Sequence, residues 1–237
     1  MIEFVKVCKR TRKTITPIVY EDLSFRIEDG ERVALLGGPA SGLNVILELI
    51  CGANAPDQGR VIRTGTFSWP IPDSSFFHKH LSFVGNARFI ARMYGMQEST
   101  FIPRVMEMAG VEDLREERLD HCPKGVLGQF SFALGLFVPF DTYIFTKVGV
   151  GKGEMLERIQ GAIAELGQRS GLLIATGQPK GFEAFCDKAY VLDEGQAFYY
   201  EDLEAAQEHL KRSLAKAPAE LEEFAEAPEE ELLDDFF

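Results

Sequence analysis

Gly37 and Gly42 bracket four residues between an apolar run that reads as a strand, residues 32–36, and a stretch with helical periodicity. That spacing is the frame of a phosphate-binding loop, in which backbone N–H groups wrap an anion at the N-terminus of the following helix. A loop that works on a triphosphate continues with Lys and then Ser or Thr, a charge for the phosphates and a hydroxyl for magnesium. Here those positions hold Leu43 and Asn44. Leucine cannot neutralise a phosphate, and an amide is a poorer magnesium partner than a hydroxyl. Gly37, Gly38, Pro39, Ala40, Ser41, Gly42, Leu43, Asn44 and Val45 therefore read as a vestigial phosphate loop. It is either an inherited strand-to-helix turn or an anion site built from backbone alone. Leu43 continues the apolar stripe of Ile46, Leu47 and Ile50, so a packing role is expected of it.

The loop needs a strand before it and a helix behind it, and the chain alternates accordingly. Residues 2–7 and 19–27 read as strands, with Asp29-Gly30 as a hairpin signal. Gly52 closes the helix that follows the loop. Asp57-Gln58-Gly59 turns the chain into a strand at 60–69, which Pro70 stops. Residues from about 86 to 140 are expected to be helical, with amphipathic runs at 87–94, 100–108 and 126–138. Strands are then expected at 142–145, 172–175, 189–192 and 197–200, and helices at 154–167, 181–185 and 202–214. The expected fold is α/β, with a mostly parallel sheet, antiparallel N-terminal strands, helices on both faces and an inserted helical subdomain at about 77–140.

At 237 residues and 46% hydrophobic composition, the chain is sized for one such domain, expected over residues 1–215. No window reaches the ~18–20 unbroken apolar residues of a membrane span. Met1-Ile2-Glu3-Phe4-Val5 lacks the layout of a signal peptide. Cys8, Cys51, Cys122 and Cys186 are far apart without paired spacing, so reduced thiols are expected and no metal site. His78 and His80, two apart, have no Cys or carboxylate close by in sequence and read as loop residues.

The net charge of −12 is concentrated at one end. Residues 217–237 carry nine of the 37 acids and none of the 25 basic residues, which leaves 25 bases against 28 acids elsewhere. A nearly neutral body gives nucleic-acid binding no electrostatic footing. Lys6, Lys9, Arg10, Arg12 and Lys13 form one basic cluster, read as a solvated loop or as a contact for anionic lipid headgroups. The stretch 216–237 is expected to be an acidic disordered tail, with Leu232, Phe236 and Phe237 as the side chains a partner's groove would take.

Further segments resemble the ATP-binding subunit of an ABC transporter, most closely the capsular or surface-polysaccharide export group. Ser68-Trp69-Pro70 followed by Asn86-x-x-Phe89-x-Ala91-Arg92-x-Tyr94-Gly95 is similar to that group's region around the glutamine loop. Gln129-Phe130-Ser131-Phe132-Ala133-Leu134 and Asp141-Thr142-Tyr143-Ile144-Phe145 resemble the helix after the signature and the Walker B strand. The run 185–196 resembles the final strand and hairpin. The likeness covers residues 1–214 and implies a P-loop NTPase-like nucleotide-binding domain.

The resemblance also shows which chemistry is replaced. The Walker A lysine and hydroxyl fall on Leu43 and Asn44, and the glutamine-loop Gln on His78. The signature serine falls on Pro123, while Gly125 keeps the following glycine. The magnesium-binding Asp falls on Thr146, the catalytic-base Glu on Lys147 and the switch histidine on Gly177. No aromatic side chain stands clearly where the family stacks adenine. A charge-assisted hydrogen bond to phosphate is worth ~1.5–3 kcal/mol, so the missing lysine alone weakens binding by about one to two decades. Asp141 and Glu154 flank the Walker B strand without replacing its base. No catalytic residue and no tightly held cofactor are expected; ATP with magnesium would bind weakly and hydrolysis is not expected. The partners implied are a membrane permease of a polysaccharide exporter and a second ATP-binding subunit, in a homodimer or beside an active sibling, at the inner face of a bacterial membrane. The alternative is a stand-alone scaffold that binds a protein partner through its acidic tail.

Overall fold

In the computed structural model, which describes residues 1–11, 18–73 and 75–216, the elements follow in the order β1 (Ile2–Thr11), β2 (Ile18–Ile27), β3 (Arg32–Gly37), α1 (Leu43–Cys51), β4 (Gln58–Arg63), β5 (Phe67–Ile71), α2 (Phe83–Met93), α3 (Glu98–Ala109), α4 (Lys124–Phe137), β6 (Thr142–Phe145), α5 (Glu154–Leu166), β7 (Gly171–Thr176), β8 (Lys188–Asp193), β9 (Gln196–Tyr200) and α6 (Leu203–Lys216). The acidic stretch 217–237 and the basic residues Arg12 and Lys13 lie outside the described residues. Strands β5, β6, β7, β3 and β8 run parallel in that spatial order, and β9 closes the edge antiparallel to β8. A separate antiparallel sheet has the order β2-β1-β4.

Strand β3 shows why both faces of the larger sheet are covered. Side chains alternate across a strand. Val33 and Leu35 enter a core with Phe4, Leu23, Ile46 and Ile50, beneath α1 and the smaller sheet. Ala34 and Leu36 enter the other core with Ile90, Val105, Phe132, Ile159 and Leu210, contributed by α2 to α6. A strand buried on both faces is continuously apolar, which is the pattern of residues 33–36.

Three local expectations are corrected. Asp29-Gly30 makes a turn, but β2 pairs with β1 and β3 with β7 and β8, so no hairpin joins β2 to β3. The stretch 60–69 is not one strand. It divides into β4 and β5 in different sheets, broken at Gly65 with φ +86°. Pro70 lies inside β5 rather than ending it, as an edge strand allows, since a proline there forfeits no ladder bond the sheet requires. Residues 183–185 form a turn, not part of a helix; Gly181 at φ +100° opens the segment and Phe182 is buried in the core.

Candidate functional site

Strand β3 delivers Gly37, and the chain returns on itself before α1. The Ser41 N–H donates to the Gly38 carbonyl at 2.9 Å, Gly42 adopts φ +75°, and the Ile46 N–H reaches the Gly42 carbonyl at 3.1 Å. Ser41 Oγ faces the Leu43 N–H at 3.3 Å. A methyl group on Gly37 would stand 2.2 Å from Ser41 Oγ, so the glycine is required by the loop's own packing. From below, the buried Tyr20 hydroxyl donates to the Ser41 carbonyl. From α6, Leu214 lies 3.0 Å from the place a Gly38 side chain would take. Val45 is buried, Leu43 packs partly against the core with Ile46 and Leu47, and Pro39, Ala40 and Asn44 are exposed. The packing role expected of Leu43 is what the structure shows.

The ends of β6, β7 and β3 lie side by side, at the carboxyl edge of a parallel sheet where α/β folds place their ligands. This edge brings together the loop, Gly177 and Thr146. A side chain on Gly177 would meet the Gly37 carbonyl at 3.1 Å. Thr146 donates to the Ile71 carbonyl through its N–H at 2.8 Å and its hydroxyl at 3.3 Å, and Lys147 is exposed. His78 follows β5, on the far side of β6 from the loop strand. Its exposed ring lies against Phe89 at 5.6 Å between centroids. Pro123 and Gly125 stand exposed at the head of α4, among the helices rather than at a strand end. Proline there has no side-chain oxygen to cap the helix.

Asp141 precedes β6, about 16 Å from Thr146 at ~3.3 Å per residue. Its carboxylate accepts from the Thr66 N–H at 2.7 Å and hydroxyl at 2.8 Å, bonds that hold it below the usual carboxylate range. Two cavities lie away from the loop. One of about 310 Å³ is lined by Arg104, Met108, Phe137, Arg158 and Arg169, and one of about 390 Å³ by Asp29, Phe140, Asp141 and Arg169.

Several positioning roles could not be read from the sequence. Asn86, buried, accepts from the His78 N–H at 2.9 Å and donates to the carbonyls of His78, Leu81 and Ser82 at 3.1, 3.4 and 3.1 Å, so one amide shapes the whole 78–82 turn. Helix α6 is tied down beside the loop by Asp193, which receives Ser213 Oγ at 2.6 Å and His209 Nε2 at 3.1 Å. Burial raises the Asp193 pKa, but the Ser213 and His209 hydrogen bonds outweigh it and leave the group below the ordinary range. Lys9, from the basic cluster, is occupied by Asn54 and Asp57, both at 3.1 Å. Phe77 is core and Phe76 packs on Trp69 at 5.1 Å between ring centroids; the exposed apolar side chains in this region are Leu81, Phe89, Met93 and Tyr94.

A family model described as ABC transporter matches residues 20–173. The capsule polysaccharide export ATP-binding protein CtrD of Neisseria meningitidis serogroup B is 28% identical over 212 residues, 88% of this chain and 98% of that protein. The ATP-binding protein BexA of Haemophilus influenzae is 26% identical over 211 residues, 88% of this chain and 97% of that one. Among solved structures, an ATP-binding subunit of an ABC transporter superposes with a TM-score of 0.74 at 20% identity, covering 95% of this chain and 98% of that one. The dimeric cassette MJ0796 bound to ADP and phosphate gives 0.71 at 16% identity, covering 86% and 99%.

Proposed function

The chain belongs to the ABC transporter family, and from that premise we propose that it is a subunit of a bacterial polysaccharide exporter that has lost effective ATP hydrolysis. It acts as a structural or regulatory partner of a permease and of an active sibling subunit. The export class is supported by the relatives' names, capsule polysaccharide export for one and polysialic acid transport for another, matched along nearly their whole length. The loss of hydrolysis rests on one observation: the strand ends beside the loop carry Thr146, Lys147 and Gly177.

A magnesium triphosphate does not fit this donor set. Leu43 brings no charge and is partly packed into the core. The Thr146 hydroxyl is turned to the Ile71 carbonyl. Lys147 places a cation where a hard metal or an attacking water needs a carboxylate. These groups act as a unit, so their losses do not average out. What the loop retains is backbone N–H at the head of α1, enough for weak anion binding without turnover. Among the described residues no helix is long and apolar enough to cross a membrane, and we place the chain at the inner membrane face through its permease. The side carrying α2 to α4 is the face we assign to that contact.

The test is ATP turnover by purified chain with magnesium, together with co-purification. Background turnover and capture of a permease are expected. Turnover that disappears on altering Asn44 would overturn the reading, and a complex without a permease would favour the scaffold alternative.

A further inference from the structure

We propose that residues 217–237 dock on the face formed by the 78–82 turn and α2 of the same chain. From His78 to Gln97 there is no Asp or Glu; Asp120, which reaches the turn through His80 at 3.0 Å, is itself paired with Arg118, and Arg88 and Arg92 supply positive charge. Arg88 and Arg92 share one carboxylate, Glu98, at 3.1 and 2.7 Å, so the pair keeps a net charge. The same face is apolar. Leu81 Cβ lies 3.3 Å from the place of a Gly85 side chain, and Gly85, Phe89 and Met93 follow one another at four-residue steps. That stripe leaves Leu81 43%, Phe89 42% and Met93 58% exposed, with Tyr94 at 40% beside it.

Residues 217–237 are the chemical complement. They hold nine acids, no Lys or Arg, and Leu232, Leu233, Phe236 and Phe237 among them. They leave from Lys216, where α6 is held through Ser213 to Asp193. Twenty residues span about 66 Å when extended, against a breadth of about 45 Å for a domain of this size. A tether of this length gives an effective concentration in the millimolar range. An intrinsic Kd of about 0.1 mM then leaves the face about nine-tenths covered. Any partner of α2 must displace the segment first. The contact itself requires no permease.

Hydroxyl-radical footprinting of the full chain tests this directly, because the Met93 thioether is readily oxidised. Met93 is expected to oxidise about tenfold more slowly in the wild type than in F236S/F237S, the ratio set by nine-tenths coverage. Dilution should leave the difference unchanged, whereas R88Q/R92Q or raised salt should shrink it. Equal rates in wild type and F236S/F237S would overturn the proposal. So would a difference that vanishes on dilution, which would seat the segment on a second copy.

Discussion

Gly37→Ala is expected to destabilise the chain with no nucleotide present, and Ser41→Gly to restore most of the loss. The added methyl meets Ser41 Oγ at 2.2 Å and Ser41 Cβ at 2.9 Å, whereas Leu192 Cβ lies at 3.5 Å, an ordinary contact. The conflict is thus with one side chain. Ser41 must leave the position in which its Oγ faces the Leu43 N–H at 3.3 Å. Overpacking costs about 1–3 kcal/mol and the lost hydrogen bond about 0.5–1.5 kcal/mol. The smaller unfolded-state entropy of alanine offsets about 0.4–1 kcal/mol. The net destabilisation is about 0.5–4 kcal/mol, with about 2–4 °C of Tm for each kcal/mol in a chain this long. Urea denaturation of both single variants and the double variant gives the coupling energy, and the double should fall within about 1 kcal/mol of Ser41→Gly alone. Such a result means that Gly37 is kept by packing, so its presence does not by itself signal nucleotide binding. If the two substitutions simply add, Ser41 is not what Gly37 makes room for, and that account of the loop is wrong.

Leu43→Lys should tighten binding of magnesium ATP by about tenfold to a hundredfold in calorimetry, from one charge-assisted hydrogen bond. Turnover should stay at background because Thr146 and Lys147 are unchanged; unchanged affinity would mean that the loop no longer presents its N–H groups to an anion. Asn86→Ala should cost about 1–3 kcal/mol by denaturation and speed proteolysis within residues 78–82, since it removes the buried partner of the His78 N–H, while the carbonyls of His78, Leu81 and Ser82 keep the backbone N–H groups of Leu81, Leu119 and Asn86. A loss below about 1 kcal/mol would mean that water takes over the amide's bonds. Asp193→Asn should loosen α6 by about 1.5–3 kcal/mol, the charge-assisted bonds to His209 and Ser213 being partly buried. The folded pKa of Asp193 is depressed, so its contribution is complete above the ordinary range near 3.9 and is lost as pH falls through the folded value. The variant should therefore flatten part of the acid limb of the stability curve, and an unaltered limb would remove Asp193 from the account.

Much of the architecture could be read locally. The 33–36 run, the loop glycines and the apolar stripe of α1 are dictated by neighbours within a few residues, and so are the periodic runs that become α2, α3 and α4. The missed break between β4 and β5 was different. Residues 60–69 read as one strand apart from Gly65, and the chain divides there because the Thr64 N–H is taken by the Met1 carbonyl at 2.9 Å and Thr66 is taken by Asp141. Neither partner is near in sequence.

Periodicity, a property of the chain alone, specified an α/β frame, and the likeness of its motifs added the ABC type and the residue types standing where the family's chemistry resides. What those residues touch came from the packed fold. It turned the Thr146 hydroxyl to a carbonyl 75 residues away, set Leu214 against Gly38 and put Phe77 in the core while leaving Phe89 and Met93 in solvent. Burial and hydrogen-bond partners are settled by which elements pack together, and that is a property of the whole fold.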